Sequence, residues 1–294
     1  MLSLENSKDT KTIKAYKLDL DKLQKVHRRK GIPKYFELKK YMQIIEKNYQ
    51  LKTILRKYSA IKSFYTFLEM KNIIKENPLN RIKIQRTNIL KEEQSVPIDL
   101  VEKLIKQAYK ALDTAQTDYQ VKEQLRNIAM IELVFSTGIR VSELSTIKVE
   151  DIDLIKRILV IRGKNNTERI IRIDNKTVLN VLRKYSKLNK DNILHSGCFF
   201  VNRSGNSISE QSFRFMVKRL ANDAKIGIKI TPKTLRSTFL MELGRSENDL
   251  EYLKNIAGYR TLQPLQKYRK TNKHNNYLTV GKNPRNKIRV QANF

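Results

Sequence analysis

Four short stretches of the chain hold residue types suited to chemistry at a phosphodiester. In STGIRVSEL, Arg140 follows a helix-stopping glycine and precedes a new helix, with Glu143 one turn further on. Lys164 sits in the polar turn RGKNNT. In TPKTLRSTF, Thr231 can cap a helix, Pro232 suits its first position, and Lys233 and Arg236 share one face at a three-residue spacing. The segment AGYRTLQPLQKYRK supplies two phenols, Tyr259 and Tyr268, nine residues apart. An oxygen attacking a phosphodiester builds a pentacoordinate species with negative charge concentrated on its non-bridging oxygens. Planar guanidinium forks stabilise that charge without a metal. A phenol with an ordinary pKa of about 10 is a poor nucleophile until nearby cations lower it, and Tyr268 stands among Lys267, Arg269 and Lys270. A lysine in a hairpin can protonate a leaving 5′-oxygen. Each residue alone also has a plainer reading: a salt bridge from Arg140 to Glu143, a solvated turn lysine, phosphate contacts without catalysis, packed tyrosines.

The composition supplies the partner such chemistry needs. The 294 residues carry 60 Lys and Arg against 29 Asp and Glu, a formal charge of +31. Through Arg86 there are 22 basic and 8 acidic side chains, and 38 against 21 beyond it, so both halves are basic. This one-signed excess points to a polyanion, a nucleic acid, rather than a membrane surface. Neither a signal-peptide pattern nor an apolar run of the roughly 18 residues a span needs is present, so a soluble, cytoplasmic, nucleoid-associated protein is expected. His27, His195 and His274 lie far apart and no carboxylates have ligand spacing, so neither metal nor other cofactor is expected. RGKNNT lacks the upstream glycine of a P-loop and lies within a hairpin, so ATP is not implied. Cys198, in the apolar run CFFV, reads as a buried inert thiol.

The elements that must position these residues follow from hydrophobic period. Residues 9 to 76 read as three amphipathic helices, through Ile13, Tyr16, Leu20, Leu23 and Val26, then Phe36, Leu38, Tyr41, Ile44 and Ile45, then Ile54, Leu55, Tyr58, Ile61, Phe64 and Leu68. The third carries Lys52, Arg56, Lys57 and Lys62 on its polar side. The module closes at NPLN, where Pro78 pushes Asn77 out of the helical region. The basic, aperiodic text that follows, with Arg81, Lys83 and Arg86, reads as a linker. Helical patterns then run from Leu100 to Ala108 and from Val121 to Phe135, stopped by Gly138. A hairpin is expected at Ile158 to Ile161 and Ile170 to Ile173. Helices resume from Thr177 to Leu188, Ser209 to Ala224, Pro232 to Leu243 and Glu247 to Ala257.

Taken in order, these stretches resemble the tyrosine recombinase (phage integrase) family, of the simple two-domain, Xer-like or transposon-encoded type. Its text is a T-G-x-R-x-x-E-L box, a hairpin lysine, an H-x-L-R-H box, an L-G-H box and a tyrosine nine residues after that last histidine. The resemblance covers nearly the whole chain. It implies a mainly α fold: a helical, SAM-like core-binding domain over residues 1–80, a linker over 81–95, and a mixed α+β catalytic domain with a small antiparallel sheet over 96–294. Arg140 and Arg236 match the phosphate-clamping arginines, Lys164 the hairpin lysine and Tyr268 the nucleophile, with Glu143 orienting Arg140. Lys233 departs from the usual histidine, and Tyr259 from the usual histidine or tryptophan. Lysine at the first position also occurs in type IB topoisomerases and telomere resolvases, whereas Tyr259 is open between a phosphate contact and packing.

The implied activity is site-specific cleavage and rejoining of double-stranded DNA through a 3′-phosphotyrosine, for integration, excision or cointegrate resolution. Lys52, Arg56, Lys57, Lys62, Arg81, Lys83 and Arg86 are the expected DNA contacts of the first domain and linker. The implied assembly is a homotetramer on two sites, monomeric in free solution and open to direction by accessory proteins. The tail after Tyr277 is expected either to dock on a neighbouring protomer or to form a disordered basic extension. A type IB topoisomerase or telomere resolvase, encouraged by Lys233, and a catalytically inactive architectural protein are the rival readings.

Overall fold

In the computed structural model the chain divides into two compact units, Met1–Leu90 and Lys91–Phe294. The structure describes residues 10–27, 31–82, 84, 95–163, 168–246, 249–268 and 283–290. Lys83, Arg86 and Lys164 lie outside the described residues.

The first unit holds α1 (Thr10–His27), α2 (Tyr35–Asn48) and α3 (Leu51–Met70), followed by a single 3-10 turn, Pro78–Arg81. Its core takes Leu38, Ile45 and Ile61 from the stripes read in the sequence and adds Tyr65, which was not among them, all but fully buried. Asn77 caps the 3-10 turn by accepting from the Leu79 amide, 3.0 Å. Not every expectation holds: Val26 and Ile44, read as part of the apolar stripes, are 51% and 38% exposed. Phe36, counted as core, is 80% exposed. Lys57, expected on the polar side of α3, is 1% exposed and donates to Asp19 Oδ1 at 2.9 Å, while Arg56 pairs with Oδ2 of the same carboxylate. Asp19 is itself buried, and only paired cations make a carboxylate tolerable there. Lys52, Lys62 and Arg81 are exposed, and Arg81 pairs with Glu76, 2.6 Å.

In the second unit α4 (Ile98–Asp113) and α5 (Asp118–Thr137) lead to a short α6 (Val141–Leu144). A three-stranded antiparallel sheet follows in the order β1 (Ile152–Asp153), β2 (Ile158–Arg162), β3 (Glu168–Arg172). Then come α7 (Lys176–Leu188), α8 (Lys190–Ser196), α9 (Glu210–Asp223), α10 (Pro232–Ser246) and α11 (Leu250–Ala257). From Ile128 to Thr137 every residue of α5 is buried, so this helix runs through the core with α4, α7 and α10 packed on it. In the hairpin Leu159 pairs with Ile171 and Ile161 with Arg169, and Leu159, Ile161 and Ile171 face the core. Cys198 is only half-buried, because Phe199, Phe200 and Val201 take the interior places beside it.

The described part of the tail packs on its own unit. Arg285 is 2% exposed and forks onto Glu132 of α5, pairing through Nε with Oε2 and through Nη2 with Oε1 at 2.7 Å. Tyr109 donates to the same Oε1 at 2.9 Å, and Ile288 enters the core. Residues 283–290 are thus tied to their own unit, where a buried carboxylate demands the arginine.

Candidate active site

The position of Arg140 begins with Gly138. It ends α5 in the left-handed region, φ 63°, with its N–H on Val134 O at 2.9 Å. A β-carbon there would stand 2.6 Å from Phe239 Cε1 of α10, so glycine serves both the turn and the close approach. Arg140 then caps α6. Its backbone N–H donates to Glu143 Oε2 at 2.8 Å, its Nη1 to Oε1 at 2.9 Å and its Nη2 to Gly258 O at 2.8 Å. With 36% of its side chain exposed, it is held but still accessible.

Thr231 and Thr234 start α10 by exchanging caps: Thr231 Oγ1 accepts from the Thr234 amide, 3.1 Å, and Thr234 Oγ1 from the Thr231 amide, 2.8 Å. Pro232 takes the first position, and Lys233 is exposed. One turn on, Arg236 is 8% exposed, its Nη2 donating to Ala257 O at 2.6 Å and its Nη1 to Gly138 O. Burial and the neighbouring Arg140 charge lower its pKa, opposed by Tyr259 and Glu143. A guanidinium so placed stays charged at neutral pH.

Gly258 ends α11 with φ 61°. A β-carbon on it would stand 2.7 Å from Arg169 Nη1 and 3.2 Å from Arg140 Nη1. The chain turns directly into Tyr259, whose ring lies 5.4 Å from the Arg140 guanidinium carbon and 5.5 Å from that of Arg236. Tyr259 therefore offers its aromatic face to both arginines.

Glu143 accepts four hydrogen bonds. Besides the two from Arg140 it takes Arg169 Nη1 on Oε1 at 2.9 Å and Nη2 on Oε2 at 2.7 Å. Burial pushes its pKa up, but the hydrogen bonds and charges of Arg169 and Arg140 outweigh that and hold it below the usual carboxylate range. Arg169 was not among the expected site residues. The signal was available in β3, where Arg169 falls on the same side of the alternation as buried Ile171.

Arg140, Lys233, Arg236 and Tyr259 line one groove of about 1110 Å³ in the second unit. Arg214, Lys218 and Lys229 add positive charge, and its carboxylate Glu210 pairs with Arg214 at 2.6 Å. Arg214 and Lys218 lie four residues apart on α9, a basic helix face that the sequence displays but that was not among the expected site residues. Tyr268 is the last residue of a 3-10 turn, Gln263–Tyr268, anchored by fully buried Leu265; its side chain lies outside what the structure describes. Among the described residues no group of three or more His, Cys, Asp or Glu is placed to hold a metal, and no helix is long and apolar enough to cross a membrane.

A helical domain with a small antiparallel sheet thus sets Arg140 and Arg236 along one basic groove. Residues 99–275 match the phage integrase family. The chain is 37% identical over 262 residues to a tyrosine recombinase of Agathobacter rectalis, covering 88% of this chain and 86% of that protein. It is 30% identical over 279 residues to the tyrosine recombinase XerC of Thermodesulfovibrio yellowstonii, covering 91% and 88%. Its fold is similar to that of the XerH site-specific recombinase in a post-cleavage complex with a palindromic difH substrate, with a TM-score of 0.71, 18% identity and coverage of 87% and 75%. The chain belongs to the phage integrase family and is a tyrosine recombinase, an enzyme of DNA recombination.

Proposed function

We propose that the chain cleaves and rejoins double-stranded DNA at a specific site through a 3′-phosphotyrosine on Tyr268, with Arg140 and Arg236 clamping the scissile phosphate. The observation that carries this reading is the convergence of both guanidinium groups on one basic groove, with the backbone of Tyr268 ten residues past the Gly258 turn that holds Arg140. In the forward step the Tyr268 oxygen forms a bond to phosphorus and the bond from phosphorus to the 5′-oxygen breaks. Lys164 gives its proton to that oxygen, and Lys233, as its neutral amine, accepts the proton of the attacking phenol. The phosphotyrosine preserves the energy of the broken bond, so a 5′-hydroxyl from a second strand reverses the step and joins new partners. No cofactor or metal enters this scheme.

DNA is the partner that fits the charge of both halves of the chain and the DNA-bound state of the XerH neighbour. Residues 1–80 would serve as the core-binding domain, with exposed Lys52 and Lys62, and with Arg56, Arg81, Lys83 and Arg86, as its phosphate contacts. Residues 96–294 would be the catalytic domain. Lys57, committed to Asp19 inside the first unit, is not part of this surface. Exchange of strands between two sites calls for four protomers, recruited in the cytoplasm at the nucleoid and directed by accessory proteins.

A nicked suicide substrate tests the reading. The wild-type protein should form a DNA adduct that survives denaturation, and Tyr268→Phe should form none. An inert wild type, or an adduct on the Tyr268→Phe protein, would overturn it.

A further inference from the structure

We infer that Arg169 is a positioning residue for phosphate activation: through Glu143 it fixes the fork of Arg140 and keeps the net charge of that fork available to the scissile phosphate. The inference rests on the proposed reading of the groove.

Glu143 stands between two guanidinium groups, and its two oxygens receive two hydrogen bonds each, one from Arg140 and one from Arg169. A carboxylate has about four acceptor sites, so this one is saturated. Its side chain is 10% exposed and that of Arg169 is 14% exposed, so water is not at hand to replace a lost donor. Arg140 alone would have its charge cancelled by a lone carboxylate in a poorly solvated place. With Arg169 present, one negative charge is shared by two positive ones, and one unit of positive charge is left over. It resides on the more exposed partner, Arg140, which lines the groove, whereas Arg169 does not.

Geometry makes the arrangement rigid. Arg169 Nε donates to Ile256 O at 3.1 Å, so the same side chain binds β3 to the last turn of α11 and, through Glu143, to α6. The missing β-carbon of Gly258 leaves the room in which the two guanidinium groups sit side by side. Arg169 is also five residues beyond Lys164 in the same hairpin, so an effect through that lysine has to be told apart from an effect through Arg140.

Single-turnover cleavage of three suicide substrates by Arg169→Met tells them apart. One carries the normal phosphodiester, one a scissile methylphosphonate, and one a 5′-bridging sulfur whose thiolate departs without a proton. A methylphosphonate lacks one charged oxygen, so its transition state leans less on Arg140. Loss of one oxyanion donor costs about 10²–10³ in rate, and loss of its positioning should cost a fraction of that. Cleavage of the phosphodiester should fall by about 10- to 100-fold with DNA affinity unchanged, that of the methylphosphonate by less than about threefold. The sulfur-bridged substrate should show the full fall. Arg169→Lys should behave like Arg169→Met, because an ammonium cannot span both oxygens of Glu143, and it serves as the test variant should Arg169→Met unfold. An unchanged phosphodiester rate, equal falls on phosphodiester and methylphosphonate, recovery on the sulfur-bridged substrate, or full rescue by lysine would each overturn the inference. An inert wild-type protein would instead refute the functional reading itself.

Discussion

Arg140 and Arg236 donate to neighbouring carbonyl oxygens at the end of one helix, Arg140 to Gly258 at 2.8 Å and Arg236 to Ala257 at 2.6 Å. Cations are favoured at a helix C-terminus, where unpaired carbonyls concentrate partial negative charge. The two side chains come from distant parts of the sequence, yet their spacing is set by a single peptide unit of α11.

That dependence makes Gly258 a sensitive position. An alanine would have to hold φ 61° and bring its methyl group against Arg169 and Arg140. Gly258→Ala should lower stability by about 1 kcal/mol or more and slow cleavage by at least about tenfold, with a smaller effect on DNA affinity. Thermal melts beside single-turnover cleavage would measure both, and an alanine variant of full activity would mean that the fork positions tolerate displacement.

Tyr259 presents its ring to both arginines, a contact that phenylalanine retains. Phenylalanine loses the hydroxyl that hydrogen-bonds with Arg236, so Tyr259→Phe should slow cleavage while leaving adduct formation detectable. Complete loss of the adduct on a suicide substrate would instead make the hydroxyl essential, and an unchanged rate would reduce Tyr259 to packing.

Glu143 carries a pH signature. Its folded-state pKa lies below the ordinary carboxylate value, so the unfolded chain binds its proton first as pH falls. The stabilisation is complete well above about pH 4.3 and disappears as pH drops through the lowered folded value. The difference in melting temperature between wild type and Glu143→Gln should be widest near neutrality and shrink in acid; a difference independent of pH would contradict the assignment.

The buried pair of Arg285 and Glu132 should dominate the stability of the second unit's tail. Arg285→Met leaves a carboxylate that is 0% exposed with Tyr109 as its remaining described donor. Breaking such a pair costs about 3–5 kcal/mol. Denaturant unfolding would show this, and a double change to Arg285→Met with Glu132→Leu should recover much of the loss, since the orphaned charge is then gone.

Much of this was legible in the sequence, and what was missed has a physical pattern. Long periodic stretches announced α3, α5, α7 and α9, and glycines followed by a change of text marked the turns before Arg140 and Tyr259. Lys190–Ser196 escaped because seven mostly polar residues give no period, and β1 because two residues give none. The larger failures concern charge. Asp19, Lys57, Glu132, Arg169 and Arg285 look like surface residues, and only the tertiary partner reveals that each is buried or nearly so. The basic face of α9 was visible, but nothing local distinguishes a groove-lining Arg214 or Lys218 from a solvated one. Phe36 errs in the opposite direction, an apolar residue left in water by a helix that turns its stripe elsewhere.

The end of α11 holds more than the clamp. Ile256, Ala257 and Gly258 offer three successive carbonyl oxygens, and each takes one arginine: Arg169, Arg236 and Arg140 in turn. Side chains from β3, α10 and the start of α6 thus share one datum. A shift of that short helix would carry all three guanidinium groups with it and preserve their mutual spacing. On the proposed reading, the reach of Tyr268 is then set separately, by the 3-10 turn from Gln263 to Tyr268.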